Sequence, residues 1–390
     1  MEQYINYLIH LIKCAIQNTT PEPVPNDVEL DRLLALAQIH TVENIAYQSL
    51  QKLNLTSTPT LELYSELNGH AIINDATQEY YLEMIADALE QNEIRHCIMK
   101  GPVIKKLYPS SDMRQSGDLD IFVDDENTEK VREIMERLGF ETENFNKSNS
   151  HDEYKIDKTV IVEIHRSLIS NKCPWQKECQ KIAERLILSD GCKYRYEMTK
   201  EDYYLYMIGH MAKHMKYSGI GIKMLLDVWV YLTRYQNELD WNTLNKHLKE
   251  CGLYEFDNHM RRLCNYWFEE ETADALTKKT ALYVASSGNF GTHEQLMAGK
   301  MAQNAVGTEN ETISRWVSYL KMFFWPYKNM KERYTILKKL PFLLPFCWVH
   351  RALKTLLFNK EKADLIRSEH SNYDMEYGKQ LIEFKKEIGL

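Results

Sequence analysis

Apolar residues follow helical spacing over most of the chain and strand spacing in a short central part. The first 94 residues have helical periodicity, and the stretch from Glu62 to Gln91 predicts one long helix. Runs rich in branched apolar residues around Asp118 and Glu163 predict strands. After residue 198 the spacing is helical again. We therefore expect helices, then an α/β part, then helices along the chain.

Two acidic residues interrupt the first of these strands. In Gly117–Val123, Asp118 and Asp120 are two positions apart, so both carboxylates lie on one strand face, while Leu119 and Ile121 lie on the other. Neighbouring carboxylates repel each other, and a carboxylate inside a protein needs a partner. Mg²⁺, which prefers carboxylate and phosphate oxygens, would supply that partner.

The segment before this strand has the features of a phosphate-binding turn. Ile98-Met99-Lys100-Gly101-Pro102 predicts a strand end, a glycine turn and a helix that starts at Pro102. The free N–H groups at a helix start bind phosphate, and Lys100 would add a positive charge.

A third acid follows after one predicted helix. Apolar residues between Val131 and Leu138, followed by Gly139, predict an amphipathic helix that crosses back to the sheet. The next predicted strand, 159–165, carries Glu163. A third carboxylate on a neighbouring strand would complete a two-metal site, which aligns an attacking oxygen with a phosphorus atom.

Together these segments resemble the uncharacterised nucleotidyltransferase-like proteins of the DNA polymerase beta superfamily. The resemblance covers residues 95 to 170 and, more loosely, the helical stretch through residue 235. The matching pieces are Lys100-Gly101, Leu107-Tyr108-Pro109, Arg114, Gly117-Asp118-Leu119-Asp120-Ile121 and Val162-Glu163-Ile164-His165.

The resemblance implies roles for these residues. Asp118, Asp120 and Glu163 would be the catalytic triad that binds Mg²⁺ or Mn²⁺. The Gly101 turn would hold the triphosphate of a nucleoside triphosphate.

One position departs from the superfamily pattern. The usual Gly-Ser or Gly-Gly pair is Gly101-Pro102 here, which lacks the hydroxyl and a backbone donor. Lys100 and Arg114 are candidate phosphate ligands that would compensate. For Arg114, orienting the three acids or simply covering the strand are the alternatives.

Three histidines are further candidates. His165 lies on the same strand face as Glu163, so it could orient that carboxylate, contact substrate or make a structural hydrogen bond. His210 and His214 lie one helical turn apart, but Met211 stands where a zinc hydrolase has its glutamate, and no third ligand is evident. The favoured interpretation is that the helix face with these two histidines packs on the catalytic core, where a histidine could contact base or ribose.

Lys223 and Asp227 lie one turn apart in the next predicted helix, around Gly221 to Arg234. An intrahelical ion pair is the favoured interpretation. Contact with nucleotide or acceptor is the alternative.

Aromatic and basic residues alternate in the last quarter, over residues 316–362. The apolar run Leu340–Arg351 is too short and too interrupted by proline to span a bilayer. It could lie at a membrane surface or bind RNA, although a buried helical hairpin with basic rims is the favoured interpretation.

Composition sets outer limits on function. The 390 residues can form several domains, and the net charge of −8 argues against broad binding to DNA. The eight cysteines show no Cys-x-x-Cys pair, which is typical of reduced thiols in a cytosolic protein. The N-terminal segment has no signal-peptide pattern, so we expect a cytoplasmic protein.

These observations predict an α+β fold, with a small mixed sheet between extensive helical segments. The expected parts are a helical region 1–94, a nucleotidyltransferase-like core 95–198, a helical domain 199–300 that packs on the core, and the aromatic-basic region 301–390. The expected activity is metal-dependent transfer of a nucleoside monophosphate to the hydroxyl or phosphate of a small molecule, RNA or protein. A nucleotide-binding sensor or scaffold without turnover and a membrane-peripheral factor are the alternatives.

Overall fold

The computed structural model describes residues 1–143, 145–146, 151–157, 159–169, 173–293, 295–296, 324–358 and 375–390. The chain forms two compact units. The first is Met1–Gly291 with Ile388–Leu390, and the second is Thr292–Glu387. The four parts expected from the sequence stay a prediction.

Helices alone form the chain before the sheet. They are α1 (Glu2–Ile16), α2 (Leu30–His40), α3 (Glu43–Leu50) and α4 (Pro59–Gln91). The side chain of Thr58 accepts a hydrogen bond from the Leu61 N–H, and Pro59 occupies the first turn of α4. The single long helix predicted up to Gln91 is therefore confirmed.

A mixed sheet of six strands follows, as the sequence predicts. The strands are β1 (His96–Ile98), β2 (Leu119–Val123), β3 (His151–Ile156), β4 (Val160–His165), β5 (Ile187–Leu188) and β6 (Arg195–Glu197). Their order is β3-β4-β2-β1-β6-β5. The β2–β4 and β1–β6 pairs are parallel, and the other neighbours are antiparallel.

One face of β2 is fully apolar and buried. Leu119, Ile121 and Val123 pack in a core with residues of α4 and of α6 (Thr128–Arg137). Each such side chain contributes about 1.5–3 kcal/mol when it is removed from water. The alternation along the strand then turns Asp120 toward the opposite face, as predicted.

Helices dominate again after the sheet. The described ones in the first unit are α7 (Gln176–Gln180), α8 (Lys200–Tyr217), α9 (Ile222–Tyr235), α10 (Trp241–Glu250), α11 (Tyr254–Phe268) and α12 (Ala275–Ser287), and a short α5 (Gly101–Ile104) follows β1. The side chain of Thr199 accepts from the Asp202 N–H, which confirms the predicted cap of α8.

The second unit has a small core of its own. Its described helices are α13 (Tyr327–Arg333), α14 (Leu344–Phe358) and α15 (Met375–Glu387). Met330, Leu337 and Cys347 are buried together. Of the aromatic-basic region, residues 316–323 and 359–362 lie outside the described residues.

The expectation of a buried hairpin is wrong for part of this region. Phe342 and Phe346 are 70% and 71% exposed, and Val349 and Leu353 are also exposed. A new helix begins at Leu344, between Pro341 and Pro345. The small core of the second unit buries only some of the apolar side chains of this helix.

Two further expectations concern the whole sequence. All eight cysteines fall among the described residues, and none of them forms a disulfide there. No described helix combines the length and the apolar composition that crossing a membrane requires.

Candidate active site

Parallel pairing of β2 with β4 brings the predicted acids together. Asp120 is the register partner of Glu163, and Phe122 is that of His165. Asp118 directly precedes β2. Carboxylate oxygens of the three acids lie within 4.8 Å of one another. Their role as metal ligands stays a prediction.

Asp118 is the acid without a protein partner. Within the described chain its carboxylate forms no hydrogen bond or ion pair. Burial raises the pKa of Asp118, and the charge of Asp120 raises it further. A cation would relieve both effects, because it compensates the lost solvation and the repulsion between the carboxylates.

Asp120 is held by two basic side chains. Its Oδ1 lies 2.5 Å from Lys100 Nζ and 2.6 Å from His165 Nε2, and the residue is 1% exposed. Burial alone would raise the pKa of Asp120, but Lys100 and His165 hold it well below its usual range. The carboxylate is therefore ionised at neutral pH.

Two histidines approach Glu163. His165 Nε2 lies 3.0 Å from Glu163 Oε2, which is the contact with Glu163 that the shared strand face predicts. His151 Nε2 lies 3.5 Å from Glu163 Oε1. Burial lowers the pKa of His151. Burial also opposes charge on His165, but its hydrogen bonds to the two carboxylates outweigh burial and raise its pKa.

The glycine turn and helix start predicted after β1 are confirmed, although α5 has four residues. Lys100 adopts φ 48° and ψ −124°, a conformation that costs energy for a residue with a Cβ. A Cβ on Gly101 would lie 2.0 Å from Ser116 Oγ. The Tyr203 hydroxyl donates to the Lys100 carbonyl at 2.9 Å. The close approach of the Ser116 loop therefore requires glycine at position 101.

Four of the five N–H groups of the Arg114 guanidinium are engaged by the protein. Nε and Nη2 donate to the two oxygens of Asp227 at 3.2 and 2.8 Å, and Nη1 donates to Ser116 Oγ at 2.9 Å and to the Gln115 carbonyl at 3.0 Å. Only 13% of the side chain is exposed. These contacts favour a positioning role for Arg114 over the predicted contact with phosphate.

The intrahelical ion pair expected between Lys223 and Asp227 is wrong. Asp227 pairs with Arg114 and accepts from the Tyr108 hydroxyl at 2.7 Å. Lys223 Nζ instead donates to the Gln115 carbonyl at 3.4 Å. Burial, followed by the charge of Arg114, lowers the pKa of Lys223 to about 8.

The three acids and most of the side chains that contact them or one another line one cavity of about 730 Å³. The ten predicted site residues are among its walls: Lys100, Gly101, Arg114, Asp118, Asp120, Glu163, His165, His210, Lys223 and Asp227. Helices α8 and α9 also contribute residues to the walls of this cavity. The substrate contacts predicted for His210, Lys223 and Asp227 stay predictions.

Sequence reasoning missed two basic residues of the cavity. Lys213 lies between His210 and His214 in the sequence of α8. Its position in the sequence does not distinguish it from a solvent-exposed lysine. Burial and the charge of Lys100 lower its pKa. His151 lies in β3, whose polar sequence carries no clear strand signal.

The zinc hypothesis for the two histidines of α8 gains no support. His210 Nε2 and His214 Nε2 are 3.1 Å apart. Burial lowers the pKa of His214 to about 3. Among the described residues, no third ligand joins them in a metal-binding group.

The carboxylate donors fit a divalent cation. Asp118 is a half-buried acid without a hydrogen-bond or ion-pair partner among the described residues, and its oxygens converge with those of the other two acids. Hard oxygen donors of this kind suit Mg²⁺.

Comparison with known proteins gives one match. A protein-family model described as "Uncharacterised nucleotidyltransferase" matches residues 26–269, which is more than half of the chain. No curated protein and no solved structure matches the chain.

Proposed function

The chain belongs to this family of uncharacterised nucleotidyltransferases, and on that premise we propose that it transfers a nucleoside monophosphate from a nucleoside triphosphate to an acceptor hydroxyl or phosphate. Pyrophosphate is the other product. The observation that carries the proposal is the convergence of the oxygens of Asp118, Asp120 and Glu163 within 4.8 Å at the wall of a large cavity.

Asp118, Asp120 and Glu163 are the proposed metal ligands. Bound Mg²⁺ or Mn²⁺ supplies positive charge that stabilises the oxygens of the transferring phosphoryl group. Asp118, directly before β2, and Asp120, on β2, would hold the cation together with Glu163 on β4. Glu163 also accepts the proton of the acceptor hydroxyl. Burial opposes charge on Glu163, but its contacts with His165 lower its pKa overall, so the carboxylate is ionised and can take up a proton.

The basic groups of the cavity bind the anionic parts of the substrate. Lys100 Nζ contacts Asp120. From this position Lys100 and the turn at Gly101 contact phosphate oxygens of the substrate. Lys213, on the α8 wall, is a further phosphate contact, since it is half-buried and has no anionic partner among the described residues. Arg114 holds the loop that carries Ser116.

Label transfer tests this proposal. Each α-labelled nucleoside triphosphate is incubated with the protein, Mg²⁺ or Mn²⁺ and a host-cell extract as the acceptor source, and pyrophosphate release is measured in parallel. Label should move to a product whose size and sensitivity to protease or ribonuclease reveal whether the acceptor is a protein, an RNA or a small molecule.

Matched substitutions make the test specific. Asp118→Asn and Asp120→Asn should lower transfer by at least about a thousandfold, because each removes charge that holds the metal. Asp124→Asn is the control, since Asp124 follows the same strand but pairs with Arg95 outside the cavity. Full activity in either triad variant, with bound metal demonstrated, would disprove the assignment.

A sensor without turnover is the second candidate. The observation that favours it is the contact of Lys100 with Asp120, because the lysine charge sits where a cation would bind. Binding of a triphosphate without pyrophosphate release, with every nucleotide and extract tested, would identify this role.

We propose in addition a peripheral contact with anionic membranes through the second unit. Residues 324–358 contain seven lysines or arginines and one glutamate, in a chain with a net charge of −8. Phe346, Val349 and Leu353 lie on one exposed face of α14, and Phe342 precedes it. An apolar face with basic neighbours binds anionic lipid surfaces. The proposal keeps the cytoplasmic location expected from the sequence, where the inner leaflet presents such lipids.

Co-sedimentation with phosphatidylserine vesicles tests this contact. The wild-type protein should sediment, and a Phe342→Ser, Phe346→Ser double variant should stay in solution. Leu282→Ser, which alters an exposed apolar residue of α12, is the control. Equal sedimentation of all three proteins would disprove the contact.

A further inference from the structure

Antiparallel pairing of β3 with β4 places two histidines beside Glu163. His151 and His165 are register partners, and their ring centroids are 5.1 Å apart. Glu163 lies two residues before His165, so its side chain shares the strand face. The sheet therefore directs two imidazoles and one carboxylate to the same point.

The atoms of this cluster have the spacing of metal ligands. One nitrogen of each histidine and one oxygen of Glu163 lie within 4.8 Å of one another. His165 Nε2 and His151 Nε2 lie 3.0 and 3.5 Å from oxygens of Glu163. Ligands at bond lengths of about 2.1 Å are about 3.4 Å apart in a tetrahedral zinc site and about 3 Å apart at right angles, so modest side-chain movement brings them to a common ion.

The donor chemistry differs from that of the three acids. Mg²⁺ takes oxygen ligands, whereas imidazole suits Zn²⁺ and Fe²⁺. Two histidines and one carboxylate are a frequent ligand set for such ions.

We propose that His151, Glu163 and His165 form a nitrogen-containing site for a first-row transition metal ion such as Zn²⁺, which shares Glu163 with the carboxylate site. The inference rests on the proposed function only in assigning Glu163 to both sites. It implies that the cavity distinguishes two classes of cation, one bound through oxygens alone and one through imidazole.

Zinc binding by the full chain, freed of any histidine tag, tests the inference without measuring transfer. X-ray absorption at the zinc edge detects imidazole ligands directly, and a titration gives affinity and stoichiometry. We expect one Zn²⁺ per chain with two imidazoles, retained in excess Mg²⁺. His151→Gln and His165→Gln should each remove one imidazole and weaken zinc binding by at least about tenfold.

His210→Gln is the matched control, because this histidine lines the same cavity but lies outside the cluster. It should keep both imidazoles. Loss of the signal in His210→Gln, a zinc ion with oxygen ligands only, or displacement of zinc by Mg²⁺ would each overturn the inference.

Asp118→Asn separates the two proposals. Asp118 belongs to the acid triad and not to the histidine cluster, so this variant should lose transfer and keep the zinc spectrum. A chain that fails to transfer nucleotide yet shows two imidazoles on zinc would leave the metal site standing. If the protein transfers nucleotide with Mg²⁺ but added zinc binds without imidazole ligands, the histidine site is overturned and the proposed activity stands.

Discussion

Arg114 and Asp227 form a two-point ion pair across 113 residues of sequence. Their side chains are 13% and 11% exposed. The pair joins the loop that leads into β2 to helix α9. It therefore fixes one wall of the cavity relative to the acids on the sheet.

Breaking this pair should destabilise the protein strongly. Asp227→Ala leaves the Arg114 charge buried without its partner, which costs about 3–5 kcal/mol for a buried pair. Urea unfolding followed by tryptophan fluorescence measures the loss. Because an apolar pair of similar size often replaces a buried ion pair well, Arg114→Met with Asp227→Leu should recover much of the stability.

A surface pair provides the control for this comparison. Arg234, in the last turn of α9, pairs with Glu238, which lies just beyond the helix, and their side chains are 60% and 43% exposed. Arg234→Ala should change stability by less than about 1 kcal/mol. Similar losses for Asp227→Ala and Arg234→Ala would show that the Arg114 pair adds nothing beyond a surface contact.

Gly101→Ala should disturb the turn beside the acids. The added Cβ would lie 2.0 Å from Ser116 Oγ, and inserting a methyl group into such a contact costs about 1–3 kcal/mol. Removing the obstacle with Ser116→Gly in the same chain should restore most of the stability. Thermal unfolding of the single and double variants measures both effects.

Gly69→Ala shows what the same change does where space is free. Gly69 lies inside α4, and a Cβ there would meet nothing within 4 Å. Alanine is a better helix residue, so this variant should gain about 0.5–1 kcal/mol. If Gly101→Ala were equally stabilising, the close approach of Ser116 would be refuted.

Local patterns were enough to predict the acids and the strands that carry them. Asp118 and Asp120 alternate with apolar residues, and Glu163 lies in a β-branched run, so period-two spacing identifies all three. The long helix α4 follows from its uninterrupted helical spacing. These features depend on neighbours in sequence, which a single chain shows directly.

Partners that lie far apart in sequence could not be predicted in this way. Helical spacing pairs Lys223 with Asp227, but the tertiary structure brings Arg114 to Asp227 and the Gln115 carbonyl to Lys223. His151 joins the site through strand pairing with β4, and the polar residues around it hide that strand. Register and long-range packing decide these contacts.

Asp118 should destabilise the protein when no divalent cation is present. Its pKa is raised in the folded state, so its favourable contribution exists at acidic pH and is lost as the pH rises through the folded pKa. At pH 7 in a chelator, Asp118→Asn should raise the unfolding temperature by about 1–2 °C, or about 1 kcal/mol.

Added Mg²⁺ should reverse this order. An ion present at about 100 times its dissociation constant stabilises the folded protein by about 2.7 kcal/mol. The wild-type protein should gain this stability, and Asp118→Asn should gain much less. Equal gains in both proteins would place the ion away from Asp118.

Lys223 should make stability depend on pH in the alkaline range. Its folded pKa of about 8 lies below the ordinary value of 10.5, so the charged form is penalised in the folded state at neutral pH. The penalty is full below pH 8 and disappears as the pH rises toward 10.5, because the unfolded chain then also loses the proton. Lys223→Met should therefore stabilise the protein at pH 7 by up to about 3 kcal/mol.

The pH profile distinguishes this cause from a simple gain in apolar contact. Urea midpoints measured from pH 6 to about 10 should show the advantage of Lys223→Met shrinking above pH 8. Lys246→Met, on the exposed side of α10, should change stability by no more than about 0.5 kcal/mol. An advantage of Lys223→Met that stays constant across the range would mean that Lys223 folds with its charge fully compensated, and that its role in the cavity is that of a permanent cation.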